Sequence, residues 1–325
     1  MTSNVAVNDS STEEIFPELT RDVIDRMKDS EGKRLREILS LVVSHVHAIV
    51  REAKITQDEW WQAIDFLTRA GKMCSDSRQE FILLSDILGI SMLVDAIDHA
   101  GGPGLSESTV LGPFYAGQQR ELATGESILL REEESDPLEM RGRVTDSQGR
   151  PIANALVEVW QTAPNQLYDV QDEDQPDGHL RGSFRSDSAG TFRFRTILPV
   201  SYPIPNDGPA GQLLAAMGRH PFRPAHIHFK ISAPGYRTLV THLFLDGDKY
   251  LGSDAVFGVK PSLVIRPRLI MGINTVEYDF GLADERESRN SAVNVGSIWA
   301  IDYAATCVLM KIRSTHHLAL GWELC

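Results

Sequence analysis

The sequence predicts an α+β protein, with a run of N-terminal helices followed by an antiparallel β-sandwich. Apolar residues recur at helical spacing from Thr20 to about His99, and no proline interrupts the chain between Pro17 and Pro103. Beyond that point the texture changes to short alternating strands separated by Gly, Pro and Asp turns. The segment His99-AGGPGLSES, with three glycines and a proline, marks the junction.

In the first part, Leu35, Ile38, Leu39, Val42, Val43 and Val46 form one stripe. Trp60, Ile64 and Leu67 form a second, and Ile82, Leu83 and Ile87 a third. About four helices are expected. One start is marked by Thr56 with Asp58 and Glu59 in the first turn, another by Ser75 or Asp76. In the second part, Met140-RGRV runs into the turn TDSQGRP, and Ala153-NALVEVW reads as its hairpin partner, with Ala155, Val157 and Val159 inward. Thr191-FRFRT, Ala225-HIHFKIS, Thr238-LVTHLFL and Asn274-TVEYDF are further strands. The reading divides the chain into a leader (1–17), a helical region (18–100), a β-sandwich domain (101–283) and a tail (284–325) that carries His316 and His317.

Composition narrows the function classes. A formal charge of −13 argues against a nucleic-acid surface, which needs clustered Lys and Arg. Cys74, Cys307 and Cys325 are far apart, which disfavours a disulfide framework or thiolate zinc site and fits a reducing, cytoplasmic setting. No secretory leader and no stretch of about 20 apolar residues is visible, so no membrane span is expected.

His226 and His228 are the sharpest local feature. On a strand, residues two apart share a face, so both imidazoles can reach one metal. His45 and His47 have the same spacing within a helical stripe, where two residues mean roughly 200° of rotation and the rings diverge. Two histidines do not complete a site. Carboxylates would suggest a divalent ion, and tyrosinates a ferric one; spacing leaves both open.

Arg223-PAHIHF resembles the signature of the intradiol ring-cleavage dioxygenases, as do Ser108-TVLGPFY, Pro164-NQLYDVQ, Leu180-RGSFRSDSAGTFRFRTILP and Leu198-PVSYPIP. The matches occur in family order and cover roughly residues 20 to 282, fading after Val276-EYDFGL. The resemblance implies a catalytic β-sandwich holding Fe(III) through Tyr168, Tyr202, His226 and His228, with O2 and a vicinal aromatic diol or triol as substrates. It implies that Tyr202 is the ligand displaced by substrate and that Arg223 stabilises negative charge on the ring. It also implies a homodimer formed through the N-terminal helices. Family members bind lipid-like molecules at that interface, a property that no residue pattern in this sequence displays.

His242 matches a position that is glutamine in catechol-cleaving members and histidine in those acting on hydroxyquinol (benzene-1,2,4-triol), so it is grouped with the catalytic residues. Ser253-DAVFGVK also looks like the hydroxyquinol branch. Val110, Gly112, Pro113 and Phe114 are expected in one wall of the substrate pocket, and Leu83, Asp86, Ala255 and Val256 in another. Asp86 would accept the third hydroxyl. Catechol 1,2-dioxygenase activity is the alternative enzyme reading. The run Gly142-RVTDSQGRPIANALVEVW also resembles prealbumin-like sandwiches that bind without catalysis, in which case the tyrosines and Arg223 would have no role.

Overall fold

The computed structural model describes residues 16–285, apart from 31, 76, 77, 100 and 118. The leader, apart from its last two residues, and the tail beyond Glu285, with His316 and His317, lie outside the described residues.

Five helices come first: α1 (Pro17–Asp25), α2 (Lys33–Glu52), α3 (Gln57–Met73), α4 (Glu80–Ile87) and α5 (Ile90–Asp98). Thr56 starts α3 as expected. The Glu59 N–H donates to Thr56 Oγ1 (3.3 Å) and the Thr56 N–H to Glu59 Oε2 (2.8 Å), a reciprocal capping box. Of the two starts expected, Asp76 lies outside the described residues and Ser75 is corrected. Ser75 instead bridges to Arg78, and α4 begins at Glu80. The buried Glu80 carboxylate has another task, accepting both Arg78 and the backbone N–H of Ala210 (2.9 Å).

The chain forms two compact units that divide within α3, between Thr68 and Arg69. In the first unit α1 packs on α2, tied by Thr20 to His47 (2.9 Å) and by Arg51 to Thr20 (2.6 Å). No α2 residue is buried; Leu41, Val42, Val46 and Ile49 all stand exposed.

The second unit continues with β1 (Pro137–Asp146), β2 (Leu156–Trp160), β3 (Arg181–Arg185), β4 (Thr191–Ile197) and β5 (Tyr202–Pro203). After α6 (Pro209–Ala216) come β6 (Phe222–Arg223), β7 (His226–Ser232) and β8 (Leu239–Leu245). The last strands are β9 (Val264–Ile265), β10 (Arg268–Ile270), β11 (Ile273–Glu277) and β12 (Phe280–Leu282). One sheet has the order β10-β11-β1-β12 with β4 also on β1; the other has the order β3-β2-β7-β8-β9. Their inward residues, among them Met140, Phe194, Val157, Val159, Ile227, Phe229 and Leu243, share one buried core. This is the expected sandwich.

Two details differ from expectation. The sheets are mixed, because β1 runs parallel to β11 and β12, and β8 parallel to β9. Nor do β1 and β2 form a hairpin. After the turn at Asp146–Arg150 the chain crosses to the opposite sheet, where β2 pairs with β3 and β7, while β1 pairs with β4. The inward set Ala155, Val157 and Val159 is as expected, but it faces the core from the other side.

Candidate metal centre

The strand period decides which residues of β7 meet. Ile227, Phe229 and Ile231 enter the sandwich core, which puts His226 and His228 on the outer face of the same strand. Both are buried, and their Nε2 atoms lie 3.2 Å apart. His226 Nδ1 donates to the Pro224 carbonyl (2.6 Å), which leaves its Nε2 lone pair free to bind an ion.

Two phenols converge on the same point. Tyr168 Oη stands 2.8 Å from His228 Nε2 and donates to Tyr202 Oη at 3.2 Å. Tyr168 lies on an irregular loop between β2 and β3, in which Gln166 (φ 72°) and Leu180 (φ 55°) adopt the left-handed region without being glycine. Such residues cost about 1–3 kcal/mol each and persist where surrounding structure imposes them. Tyr202 is held differently, on the two-residue β5, which pairs with β6 and sets Tyr202 opposite Arg223.

Burial sets the charge states. Burial first, then the charge of Arg223, holds the His226 imidazole well below its usual pKa. The same holds for His228, with His226 and Arg223 adding to burial. Both rings are therefore neutral, the form that binds metals. Burial raises the Tyr168 phenol well above its usual value, so an ionised Tyr168 needs a cation beside it. Two neutral imidazoles and two phenols that face one another in a buried cluster fit a hard trivalent ion such as Fe(III).

Arg223, 3% exposed, donates to Asp254 through Nε (3.2 Å) and Nη2 (3.4 Å), and its Nη1 is 3.3 Å from His226 Nε2. Burial opposes its charge, but Asp254 and the two phenols outweigh this and raise its pKa above the ordinary guanidinium value. A Cβ on Gly258 would fall 2.9 Å from Arg223 Nη2 and 3.2 Å from Asp254 Oδ2, so a side chain there would press on the ion pair.

His242 groups with the pair, since ligating atoms of all three histidines lie within 4.8 Å of one another. Its bonding puts it outside the convergent set, however. Its Nε2 meets the far nitrogen of His228, Nδ1, at 2.7 Å, and its own Nδ1 meets Thr109 Oγ1 at 2.7 Å. It therefore stands behind His228 rather than joining the convergent set. Trp160 stacks on His228 from the neighbouring strand, with centroids 4.7 Å apart and planes at 16°.

The residues expected in the two walls fall in two places. Leu83, Ala255 and Val256 belong to one buried cluster that includes Ile87, Ile204 and Leu214. Asp86, 6% exposed, lies on the same helix within electrostatic reach of Arg223 and Asp254. Its Oδ1 has no hydrogen-bond partner among the described residues, and burial raises its pKa. On the other side Phe114 stacks on Tyr168 (4.6 Å), and a Cβ on Gly112 would fall 3.3 Å from His228 Cε1. Val110 is half-buried and Pro113 exposed on that loop.

Sequence reasoning missed Asp254, Thr109 and Trp160. Asp254 and Thr109 lay inside the matching motifs, but nothing about their residue types marked them. Trp160 ended an ordinary alternating strand.

Residues 110–284 match the family model described as Dioxygenase, and residues 32–104 match Catechol dioxygenase N terminus. The chain is 51% identical to hydroxyquinol 1,2-dioxygenase of Rhizobium sp. (strain MTP-10005), over 74% of this chain and 82% of that protein. It is 50% identical to 6-chlorohydroxyquinol 1,2-dioxygenase of Cupriavidus pinatubonensis, over 81% and 96% respectively. The solved structure of hydroxyquinol 1,2-dioxygenase from Pseudomonas putida DLL-E4 superposes with a TM-score of 0.78 at 45% identity, covering 82% of this chain and 98% of that one. The chain belongs to the intradiol ring-cleavage dioxygenases.

Proposed function

We propose that this enzyme binds hydroxyquinol at an Fe(III) ion held by Tyr168, Tyr202, His226 and His228. It opens the ring between the vicinal hydroxyls with O2, and both oxygen atoms end in 3-hydroxy-cis,cis-muconate, the enol form of maleylacetate. The observation that carries the substrate reading is Asp86, a buried carboxylate with an unpartnered oxygen in an otherwise apolar wall. A buried acceptor left unmade costs about 1–3 kcal/mol. A triol supplies a donor for it through its third hydroxyl, and catechol does not.

A bound ferric ion supplies Lewis acidity toward the two vicinal oxygens and a path for electrons between ring and O2. The chain's residues do the rest. His226 presents Nε2 because Pro224 holds its Nδ1 proton. With His228 also offering Nε2, its Nδ1 proton goes to His242, whose own Nδ1 proton goes to Thr109. Tyr202, carried on the two-residue β5, would help hold the ion and is the phenol that would take up a substrate proton at its Oη. Arg223, fixed by Asp254, stabilises negative charge as it develops on the ring. Leu83, Val110, Gly112, Pro113, Phe114, Ala255 and Val256 enclose the ring.

The division into leader, helical region 18–100, catalytic domain 101–283 and tail belongs to this reading. So does a homodimer through the first helices, supported by the exposed apolar residues of α2 and by Trp60, Trp61 and Leu67 of α3. A lipid-like molecule at that interface would cover the same apolar surface. No described helix is long and apolar enough to cross a membrane, and the scattered cysteines fit the cytoplasm.

The test compares kcat/KM for hydroxyquinol and catechol in the parent enzyme and in Asp86→Ala. The ratio in favour of hydroxyquinol is expected to fall about 10–100-fold, the equivalent of one buried hydrogen bond. An unchanged ratio removes Asp86 from the substrate site.

A further inference from the structure

Tyr168 sits on a loop with little regular structure, yet its oxygen lies 2.8 Å from His228 Nε2. Gln175 and Arg131 also tie this loop, but the side chain that reaches both neighbours of the phenol is Arg181, the first residue of β3 and 2% exposed. Its Nε donates to Asp169 Oδ1 (2.5 Å), and Asp169 directly follows Tyr168 in the chain. Its Nη1 donates to the carbonyl of Phe114 (2.7 Å), the residue whose ring stacks on Tyr168. The guanidinium carbon is 5.6 Å from the Tyr168 ring centroid. The second Asp169 oxygen accepts the Gly178 N–H (2.8 Å), so the far end of the loop is bound to the same carboxylate.

The sheet register explains why this matters for the centre. Arg181 is opposite Trp160, Trp160 opposite His228, and His228 opposite His242. These four residues form one transverse row on a single face of the sheet, because directly opposed residues point the same way. The row contains the His228 ring, the tryptophan stacked on it and the histidine that backs it. Arg181 carries the row's alignment out to Tyr168. Its Nη2 has no hydrogen-bond partner among the described residues. A buried donor left unmade is a cost that calls for a compensating role.

We propose that Arg181 is a positioning residue for the iron centre, locking the Tyr168 oxygen in place by cross-tying Asp169 and Phe114 to the row that bears His228. This rests on the reading of Tyr168 as an iron ligand. Lysine keeps the charge at this position but lacks the planar fork that reaches both partners.

The test uses the full-length, iron-loaded protein and the variants Arg181→Met, Arg181→Lys and Asp169→Asn. Two quantities are read: the visible tyrosinate-to-iron charge-transfer band, and iron retention against a chelator. Arg181→Met is expected to displace the band and weaken retention about 10–100-fold, as outer partners of ligands do. Asp169→Asn should displace the band in the same direction, and Arg181→Lys should restore only part of the loss. A general loss of stability would not move the band energy, which reports the phenolate–iron geometry, and of the two phenols Tyr168 is the one adjoining the Arg181 ties. Folded Arg181→Met with the parent band and affinity overturns the proposal, as does full restoration by lysine. Should Arg181→Met not fold, an unchanged band in Asp169→Asn overturns it equally. A colourless iron-loaded parent protein would instead refute the tyrosinate ligands themselves, and the proposal with them.

Discussion

Helix α2 and strand β7 each contain a His-x-His sequence, and the two pairs share nothing but that spacing. On α2, His45 is exposed, while His47 turns to another side and meets Thr20 Oγ1 at 2.9 Å. On β7, His226 and His228 are buried side by side with Nε2 atoms 3.2 Å apart. The difference is the backbone period, about 3.6 residues per turn against 2 per repeat. A motif of two residue types therefore has chemical meaning only once its secondary structure is known. The surroundings widen the contrast. The β7 pair meets Tyr168, Arg223 and His242, whereas on α2 His47 meets the hydroxyl of Thr20.

Substitutions at the two pairs should diverge most. His226→Ala or His228→Ala is expected to abolish stoichiometric iron binding and lower ring cleavage by about 10³-fold or more, since outer partners alone are worth about 10–100-fold. Metal analysis and oxygen uptake check both. Iron retained at parent level would remove that histidine from the donor set. A smaller effect is expected behind the pair. His242→Gln keeps a polar group near His228 Nδ1 but breaks the link to Thr109, so iron should stay bound while kcat falls about 10-fold. An identical kcat would mean that the outer hydrogen bond contributes nothing to turnover. The smallest effect belongs to α2. His47→Ala should cost about 0.5–1.5 kcal/mol through the lost bond to Thr20, seen in denaturant unfolding, with iron content and kcat unchanged. Loss of iron from this variant would reverse the contrast.

Legibility followed the same division between local and non-local. The boundary of helices and strands, the Thr56 cap and the inward set of β2 could be read because each depends on neighbours within a few residues. The β1–β2 hairpin could not. A tight turn between two alternating strands looks the same whether the second strand pairs back or crosses to the opposite sheet. Choosing between them requires knowing that β4 occupies the place beside β1. The start of α4 was obscured similarly, since Ser75 has the chemistry of a cap but bridges to Arg78 instead. At the site, residues in distinctive motifs were identifiable, among them Tyr168, Tyr202, Arg223, His226 and His228. Asp254, Thr109 and Arg181 were not, because their roles consist of partners 31, 133 and 12 residues away.

The sequence by itself determined the helical and β halves, the sharing of one strand face by the histidine pair and, through its ordered motifs, the family. Those features follow from local periodicity and from residue identities at fixed spacing. Only the tertiary structure decided that His242 stands behind His228 rather than among the donors, and that Asp86 keeps an unpartnered oxygen. It also decided that a single transverse row aligns Arg181, Trp160, His228 and His242. The physical reason is register: which residue lies opposite which is set by the packing of whole strands across the sheet. No short stretch of sequence contains both members of such a pair.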